Sequence, residues 1–269
     1  MDSYLFQIVL GAILISLLLG IYSFVVYFFR LAFLSIAVSH AVLAGLAIGI
    51  FFHIDPTLTA LLFSLLVGWL IAFVRKKAGL TEDASIGIVL ALSMAVGIIL
   101  IYLSGYQGNI FSYLFGSLLT LSWKDIVSLL FLLLVSVIFI ARHWEQILFL
   151  CFDEETAYSS GINVNFLYYT IIALLSFLIT YSTKLIGVIL THAMLVIPGA
   201  TVYQIFWHYK LLLAGSTLLS IFSTLAGLTL SYFYDLPTGP LIVTVGGILF
   251  LLFWVLKIFK IPSKVFRNK

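Results

Sequence analysis

The sequence predicts an all-α, polytopic transmembrane helix bundle, because its composition and its runs of apolar residues agree on that class. Of the 269 residues, 64% are hydrophobic and only 9% are charged. Soluble domains are about 45–50% apolar and about 25% charged, so a chain of this composition has to expose apolar surface to lipid. Cys151 is the single cysteine, which excludes an internal disulfide and a CxxC metal site.

The spans are predicted from stretches of about 20 mostly apolar residues, the length that crosses a bilayer. Two short stretches could merge or one could be re-entrant, so eight or nine spans are expected. The whole chain, 1–269, is predicted to be a single transmembrane domain. In order, the candidate spans are Tyr4–Phe29, Leu31–Phe52, Thr57–Val74, Ala84–Leu103, Asp125–Ala141, Phe166–Tyr181, Leu185–Trp207, Leu211–Tyr234 and Pro240–Leu256.

Two further segments lie between the spans. Ile110–Ser122 is apolar but too short to cross, so it is predicted to be a re-entrant or interfacial short helix. Asp153 suits a helix N-cap, two glutamates follow it, and Gly161 suits a C-terminal stop. A short helix from Glu154 to Ser160 is therefore predicted at the cytoplasmic surface, where it would dock a partner. The alternative is an ordinary solvated loop.

The positive charges orient the predicted bundle. With the N-terminus outside, all Lys and Arg residues except Lys124 and Lys184 fall on the inside, as the positive-inside rule requires. The sequence thus predicts an outside N-terminus and a cytoplasmic C-terminus. The outer side then carries four aspartates, a number that is ordinary for a membrane surface: Asp2, Asp55, Asp125 and Asp235.

Two histidines are predicted to lie near the bilayer midplane. His40 lies ten residues after Arg30, which places it about 15 Å into the membrane. His192 lies eight residues after Lys184, or about 12 Å from the outer face and about 18 Å from the inner face. Two imidazoles at one depth can share a metal ion such as zinc or iron. The alternative is a histidine hydrogen-bonded to a neighbouring helix for packing.

The surroundings of these histidines carry two more signals. Ala41, Gly45 and Gly49 repeat every four residues, so they share a helix face that another backbone can approach closely. Pro198 removes a backbone donor inside the seventh candidate span, so it is predicted to kink or interrupt that helix.

Several functional classes are disfavoured by what the sequence lacks. It has no GxxxxGK[ST] phosphate loop, so the chain itself is not expected to hydrolyse nucleotide or to act as an enzyme. Its spans contain essentially no carboxylates, which a gradient-driven secondary transporter would need as relays. No nucleic-acid partner is expected.

Short motifs, in order along the chain, resemble those of the metal-ion permeases of ABC importers, which take up zinc, manganese or iron. The resemblance covers nearly the whole chain. The motifs are RLAFLSIAVSHAVLAG from Arg30, TEDASIGIVLALSMAVGIIL from Thr81, LFGSLLTLS from Leu114, the pattern Asp153, Glu155, Ala157 and Gly161, Lys184 and Gly187 followed by MLVIPGATV, and DLPTGPLIV from Asp235.

The resemblance implies an assembly. Two permease chains would form a homodimer, with two cytoplasmic ATPase subunits and an extracytoplasmic metal-binding protein, in a prokaryotic plasma membrane. Asp153, Glu155, Ala157 and Gly161 would belong to a coupling helix that fits a groove on the ATPase. No permanently bound cofactor is expected, only the transported divalent metal, zinc or manganese, with iron as a third option.

The resemblance also implies a pathway site, and this chain departs from the family there. The family pattern RxAFxGDALSHAxLPG has a carboxylate and a histidine; the histidine matches His40, but Ile36 occupies the position of the carboxylate. We hypothesise that His192 compensates, which would favour zinc over manganese because manganese prefers carboxylate. A permease for an organic metal chelate is the alternative function.

Overall fold

The structure is a computed structural model that describes residues 2–78, 81–105, 116 and 121–260. Within these ranges the chain forms eleven α-helices and no β-strand. In chain order the helices are α1 (Asp2–Phe28), α2 (Ala32–Phe52), α3 (Pro56–Ala78), α4 (Glu82–Ser104), α5 (Trp123–Arg142), α6 (Trp144–Phe152), α7 (Glu154–Ser159), α8 (Val164–Ile186), α9 (Val188–Val202), α10 (Tyr209–Tyr234) and α11 (Thr238–Lys260).

Most of these helices have the length and composition of membrane spans. Among the described residues, eight helices qualify, namely α1 to α5, α8, α10 and α11, while α9 is a shorter apolar helix of 15 residues. The outer surface of the bundle is apolar, as α5 illustrates: Phe131 and Ile138 are 68% and 66% exposed. An all-α bundle with such a surface suits lipid, so the predicted fold class is confirmed.

The short helix α9 nevertheless runs from one end of the bundle to the other. We call the end at which α1 begins the first end, and the opposite one the second end. Gly187, before α9, packs against Gly116, which lies beside Leu5 at the first end. Tyr203, after α9, packs against Tyr27 at the second end, with ring centroids 4.7 Å apart. Counted over the described residues, the chain therefore passes between the two ends nine times.

The predicted small-residue face of α2 packs against α3. A Cβ atom added to Gly45 would lie 2.5 Å from the Cα atom of Ala60, and one added to Gly49 would lie 2.6 Å from the Cα atom of Pro56. Only glycine permits backbones this close. Since this contact fixes the rotation of α2, it also determines which residues of α2 remain on the side that faces α9.

Buried hydroxyl groups join α1 to α10 and to α5. The hydroxyls of Ser216 and Ser220 on α10 donate to the backbone oxygens of Gly20 and Ser16, at 3.0 and 2.7 Å. The hydroxyl of Tyr22 donates to that of Ser136 on α5 at 3.0 Å. Hydrogen bonds of this kind satisfy polar groups where no water is available, and they place α1 at the centre of the bundle.

Two features of the chain differ from the sequence prediction. The seventh candidate span, Leu185–Trp207, is divided at Gly187, so that α8 continues to Ile186 and α9 begins at Val188. The wetter stretch after α5 contains α6 as well as the predicted short helix. The predicted re-entrant segment, Ile110–Ser122, lies outside the described residues except for 116, 121 and 122.

Candidate metal site between α2 and α9

The two histidines predicted at the midplane lie on helices that pack against each other, α2 and α9. Both imidazole rings are half-buried, and they are near enough to interact electrostatically. The His192 ring is directed toward α2, because its Nδ1 atom contacts Ser35 of that helix. The sequence predicted equal depth, and the structure adds that the two helices are neighbours.

His192 is held by a hydroxyl group on α2. The Nδ1 atom of its ring lies 2.9 Å from the Oγ atom of Ser35, a residue that is fully buried. Ser35 donates its own hydroxyl hydrogen to the backbone oxygen of Ala32 at 2.7 Å. The Ser35–His192 contact is the direct link between the two helices at this site, and the sequence reasoning did not identify it.

His40 has a nitrogen atom without a partner. Its Nδ1 atom is buried and makes no hydrogen bond within the described part of the chain. Leaving such an atom unpaired costs about 1–3 kcal/mol, so a lone imidazole used only for packing would be a poor choice here. An unpaired nitrogen beside a second imidazole is, in contrast, suited to a metal cation.

In the part of the chain that the structure describes, no carboxylate joins the pair. Ile36 lies one helical turn before His40 and is half-buried, as expected for residues four apart on one face of α2. Among the described residues there is no group of three or more His, Cys, Asp or Glu side chains that could hold a metal ion. The site therefore offers two imidazoles, which suits transient binding better than a closed structural site of four ligands.

The position of α9 depends on Gly187 rather than on Pro198. Gly187 has φ +85°, which favours glycine, and a Cβ atom added to Gly116 would lie 2.2 Å from the backbone nitrogen of Gly187. Pro198 was expected to kink or interrupt the helix, and because α9 is continuous through it, the proline does not interrupt the helix. The backbone N–H group of Gly199 donates to the hydroxyl of Ser23 on α1 at 2.8 Å, so a neighbouring helix supports the backbone around the proline.

The predicted coupling helix is present as α7, with both of its predicted ends. The carboxylate of Asp153 accepts hydrogen bonds from the Thr156 hydroxyl and from the backbone N–H of Glu155. Gly161 has φ +80°, and the N–H groups of Gly161 and Ile162 donate to the backbone oxygens of Tyr158 and Ala157. This pair of bonds is a Schellman motif, which closes the helix.

The four residues predicted to couple to an ATPase fall into two groups. Asp153, Glu155 and Gly161 are exposed, whereas Ala157 is 0% exposed and belongs to the core of the bundle. Ala157 is thus placed to anchor α7 to its own chain. The next residue of the helix, Tyr158, points outward and is 73% exposed.

A cavity of about 690 Å³ lies beside the start of α7 at the second end. Its lining includes Asp153 and Glu154 together with Arg30, Tyr27 and Tyr203. Tyr203 directly follows α9, so the cavity links the end of the histidine-bearing helix to α7.

Cys151 lines the same cavity. Burial raises the pKa of its thiol to about 12, which keeps it a neutral thiol near pH 7 rather than a thiolate ligand.

Two of the four aspartates predicted on the outer side are engaged in local structure. Asp55 accepts backbone N–H bonds from Thr57 and Leu58 at the start of α3. Asp125 forms a capping box with Ser122 at the start of α5. For these two residues the contacts agree with the ordinary interpretation.

Comparisons with known proteins place this chain in a class of membrane transport proteins. Residues 1–257 match the ABC-3 family, described as the ABC 3 transport family. The chain therefore belongs to the ABC 3 transport family. Its members are permease subunits of ABC importers rather than enzymes, with ATP hydrolysis in a separate subunit and a substrate-binding partner.

Individual relatives agree with this assignment. The chain is 34% identical over 253 residues to a "Probable metal transport system membrane protein" of Thermotoga maritima, covering 93% of this chain and 88% of the relative. It is 32% identical over 261 residues to the manganese transport system membrane protein MntC of Halalkalibacterium halodurans, covering 93% and 86%. The structure of PsaBC from Streptococcus pneumoniae in complex with Fab is similar with a TM-score of 0.81 at 27% identity, covering 98% of this chain and 94% of that one.

Proposed function

We propose that this chain translocates a divalent transition metal, and that His40 and His192 are its ligands on the pathway. The observation that carries the proposal is the pair of neighbouring imidazoles, one of which has a buried nitrogen with no hydrogen-bond partner in the described part of the chain. Relatives named as metal or manganese transport proteins support a metal cargo. In this proposal the whole chain, 1–269, is one permease domain.

Zinc is the metal that the site favours. Imidazole nitrogen suits zinc, whereas manganese prefers the carboxylate oxygen that Ile36 does not supply. His192 would compensate for the missing acid by bringing a second nitrogen to the same place. Manganese is the second candidate, because relatives such as MntC are named for manganese transport.

The proposed assembly is a homodimer of permease chains with two cytoplasmic ATPase subunits and an extracytoplasmic metal-binding protein. The first end of the bundle would face outward and the second end the cytoplasm, in accordance with the distribution of Lys and Arg. α7 would then lie at the cytoplasmic face, where Glu155 and Tyr158 are exposed for contact with an ATPase.

The mechanism would link α7 to the histidine pair. Closure of the ATPase dimer would move α7, and Ala157, being buried against the bundle, would pass that motion to the membrane helices. A change in the distance between α2 and α9 would then separate or join the two imidazoles. Two ligands bind a metal weakly enough for it to leave when they separate.

The test is uptake of radioactive zinc by proteoliposomes that contain the full importer. We expect His40→Ala and His192→Ala each to reduce uptake by at least about tenfold. A loss of about that size in metal affinity or activity follows even when only a residue hydrogen-bonded to a metal ligand is replaced. His208→Ala is the matched control, because His208 is exposed and lies outside the helices, and it should leave uptake unchanged. Intact uptake in His192→Ala together with its loss in His40→Ala would show that the site is not shared.

The same proteoliposomes distinguish between zinc, manganese and an organic metal chelate as the cargo. Competition by unlabelled zinc stronger than by manganese supports an imidazole site, whereas stronger competition by manganese supports the second candidate. Uptake that requires an organic chelator would contradict both.

A further inference from the structure

We propose that Ser35 is a positioning residue that fixes the tautomer of His192 and thereby selects Nε2 as the metal-binding atom. The inference rests on the proposed function, since it names the residue that orients one of the two proposed ligands. It comes from the hydrogen-bond geometry around a single fully buried hydroxyl group.

The argument begins with the hydrogen atoms available. A serine hydroxyl has one hydrogen to donate and can also accept. Ser35 donates that hydrogen to the backbone oxygen of Ala32 at 2.7 Å. The Ala32 oxygen can only accept, so both hydrogen bonds of Ser35 form together only when the Nδ1 atom of His192 donates to the Oγ atom, 2.9 Å away.

The consequence concerns the other nitrogen of the ring. A neutral imidazole carries one N–H group, so a hydrogen on Nδ1 leaves Nε2 with a free lone pair. Which nitrogen of a histidine binds a metal is set by the hydrogen bond that the other nitrogen makes. Ser35 thus assigns metal binding to Nε2 and prevents the ring from presenting an N–H group to the cation.

Ser35 is itself rigidly held. Its backbone N–H donates to the oxygen of Leu31 at 3.0 Å, and its own backbone oxygen accepts the hydroxyl of Ser39 at 2.8 Å. Ser35 is fully buried, so its hydroxyl is shielded from solvent. A fixed partner of this kind orients the imidazole ring before the metal binds, so the ring loses less conformational freedom on binding.

A neutral partner also suits a transport site. A carboxylate on Nδ1 would raise the basicity of the imidazole and tighten metal binding. A hydroxyl group orients the ring without adding a negative charge, which keeps the bound metal easy to release. Ser35 would therefore combine a defined ligand geometry with weak affinity.

The experiment measures the tautomer and the affinity separately. The full permease–ATPase complex is labelled with ¹⁵N-histidine, and the imidazole signals are recorded near pH 8, where imidazole is neutral. The signals of His192 are assigned by their absence in His192→Ala. Zinc affinity is measured by titration of the same samples, without any need for transport.

In the unsubstituted protein we expect the Nδ1–H tautomer at His192. Ser35→Ala should give a mixture or the Nε2–H form, with a loss of zinc affinity of about 10- to 100-fold. Ser35→Thr, which retains a hydroxyl, should restore both.

Ser93→Ala is the matched control, since it removes a buried hydroxyl on α4 that bonds to the backbone oxygen of Val89 and holds neither Ser35 nor His192. It should change neither the tautomer nor the affinity. An unchanged tautomer or an unchanged zinc affinity in Ser35→Ala overturns the positioning role while the proposed function stands. Unchanged zinc affinity in His192→Ala overturns the proposed function instead.

Discussion

The histidine pair between α2 and α9 and the short helix α7 are built in opposite ways. The pair joins side chains from helices far apart in the chain, and it depends on close packing of glycine at the α2–α3 contact and at Gly187. α7 is a six-residue helix whose ends are fixed by its own neighbours in sequence, Asp153 and Gly161. One region is a product of tertiary structure, and the other of local hydrogen bonds.

In the proposed function, this difference would divide the work of the importer between the two regions. A metal site that opens and closes benefits from ligands on separate helices, because a small movement between the helices changes the site. A segment that receives force from an ATPase benefits from being a rigid local unit. Changes that affect one region and spare the other test this division.

Lowering the pH should produce the largest difference between the two regions, because it should weaken zinc binding at the histidine pair and leave α7 intact. Imidazole changes its protonation in the range between about pH 5 and 8, and protonated imidazole cannot bind a metal. Because the proposed site has two imidazoles, zinc affinity should fall strongly between about pH 7.5 and 5.5. Zinc titrations of the purified complex at the two values check this.

The control for acidity is α7. Hydrogen bonds from the side chain and backbone of Thr156, and from the backbone of Glu155, hold the pKa of the Asp153 carboxyl below its usual range. The cap of α7 should therefore persist at pH 5.5. Zinc binding that does not change with pH would contradict an imidazole site.

Ala157→Leu should have the next largest effect, and it should reduce transport without changing zinc binding. A larger side chain in this fully buried position would cost about 1–3 kcal/mol of packing and displace α7 from the bundle. We expect ATP-driven uptake to fall severalfold while zinc affinity remains unchanged. Ser159→Leu, at an exposed position of the same helix, is the control. Equal loss of zinc affinity in Ala157→Leu would show that the two regions are not separable.

Gly161→Ala should weaken α7 by about 1 kcal/mol, because the residue adopts φ +80°, which L-amino acids other than glycine disfavour. Hydrogen exchange of the α7 backbone amides should become about fivefold faster, which is that free energy converted to a rate ratio. Gly87→Ala is the matched control, since Gly87 is helical and an added Cβ there meets nothing within 4 Å. Unchanged exchange in Gly161→Ala would contradict the role of the Schellman motif.

Thr156→Val should have the smallest effect. It removes the hydroxyl that donates to Asp153, so the pKa of that carboxyl should rise toward its ordinary value. A carboxyl with a lowered pKa in the folded state stabilises the helix at neutral pH, and this contribution is lost as the pH falls through that pKa. The loss should therefore occur at a higher pH in the variant. Titration of the Asp153 carboxyl by ¹³C NMR measures this, and an identical titration curve would refute it.

Much of this architecture follows from the sequence by direct physical reasoning. The spans follow from apolar length, α7 from its capping residues, and the α2–α3 contact from the spacing of Gly45 and Gly49. The depth of each histidine follows from the helix rise. These features are local, or they depend on one periodicity.

The remaining features depend on how helices are rotated against one another. The sequence could not show that His192 turns toward α2, nor that Ser35 would hold its ring. A serine in a membrane helix usually bonds to the carbonyl of the preceding turn, as Ser39 does, so Ser35 carries no distinguishing signal. The break at Gly187 was missed because Pro198 is the stronger local indicator of an interruption.

X-ray absorption at the zinc edge tests the central claim most directly. The purified permease–ATPase complex, loaded with one zinc ion per permease chain, should show two imidazole nitrogen ligands on the metal. His40→Ala and His192→Ala should each show one, and the double variant none. A spectrum that is the same in His192→Ala as in the unsubstituted protein, or one dominated by carboxylate oxygen without imidazole, would contradict the account.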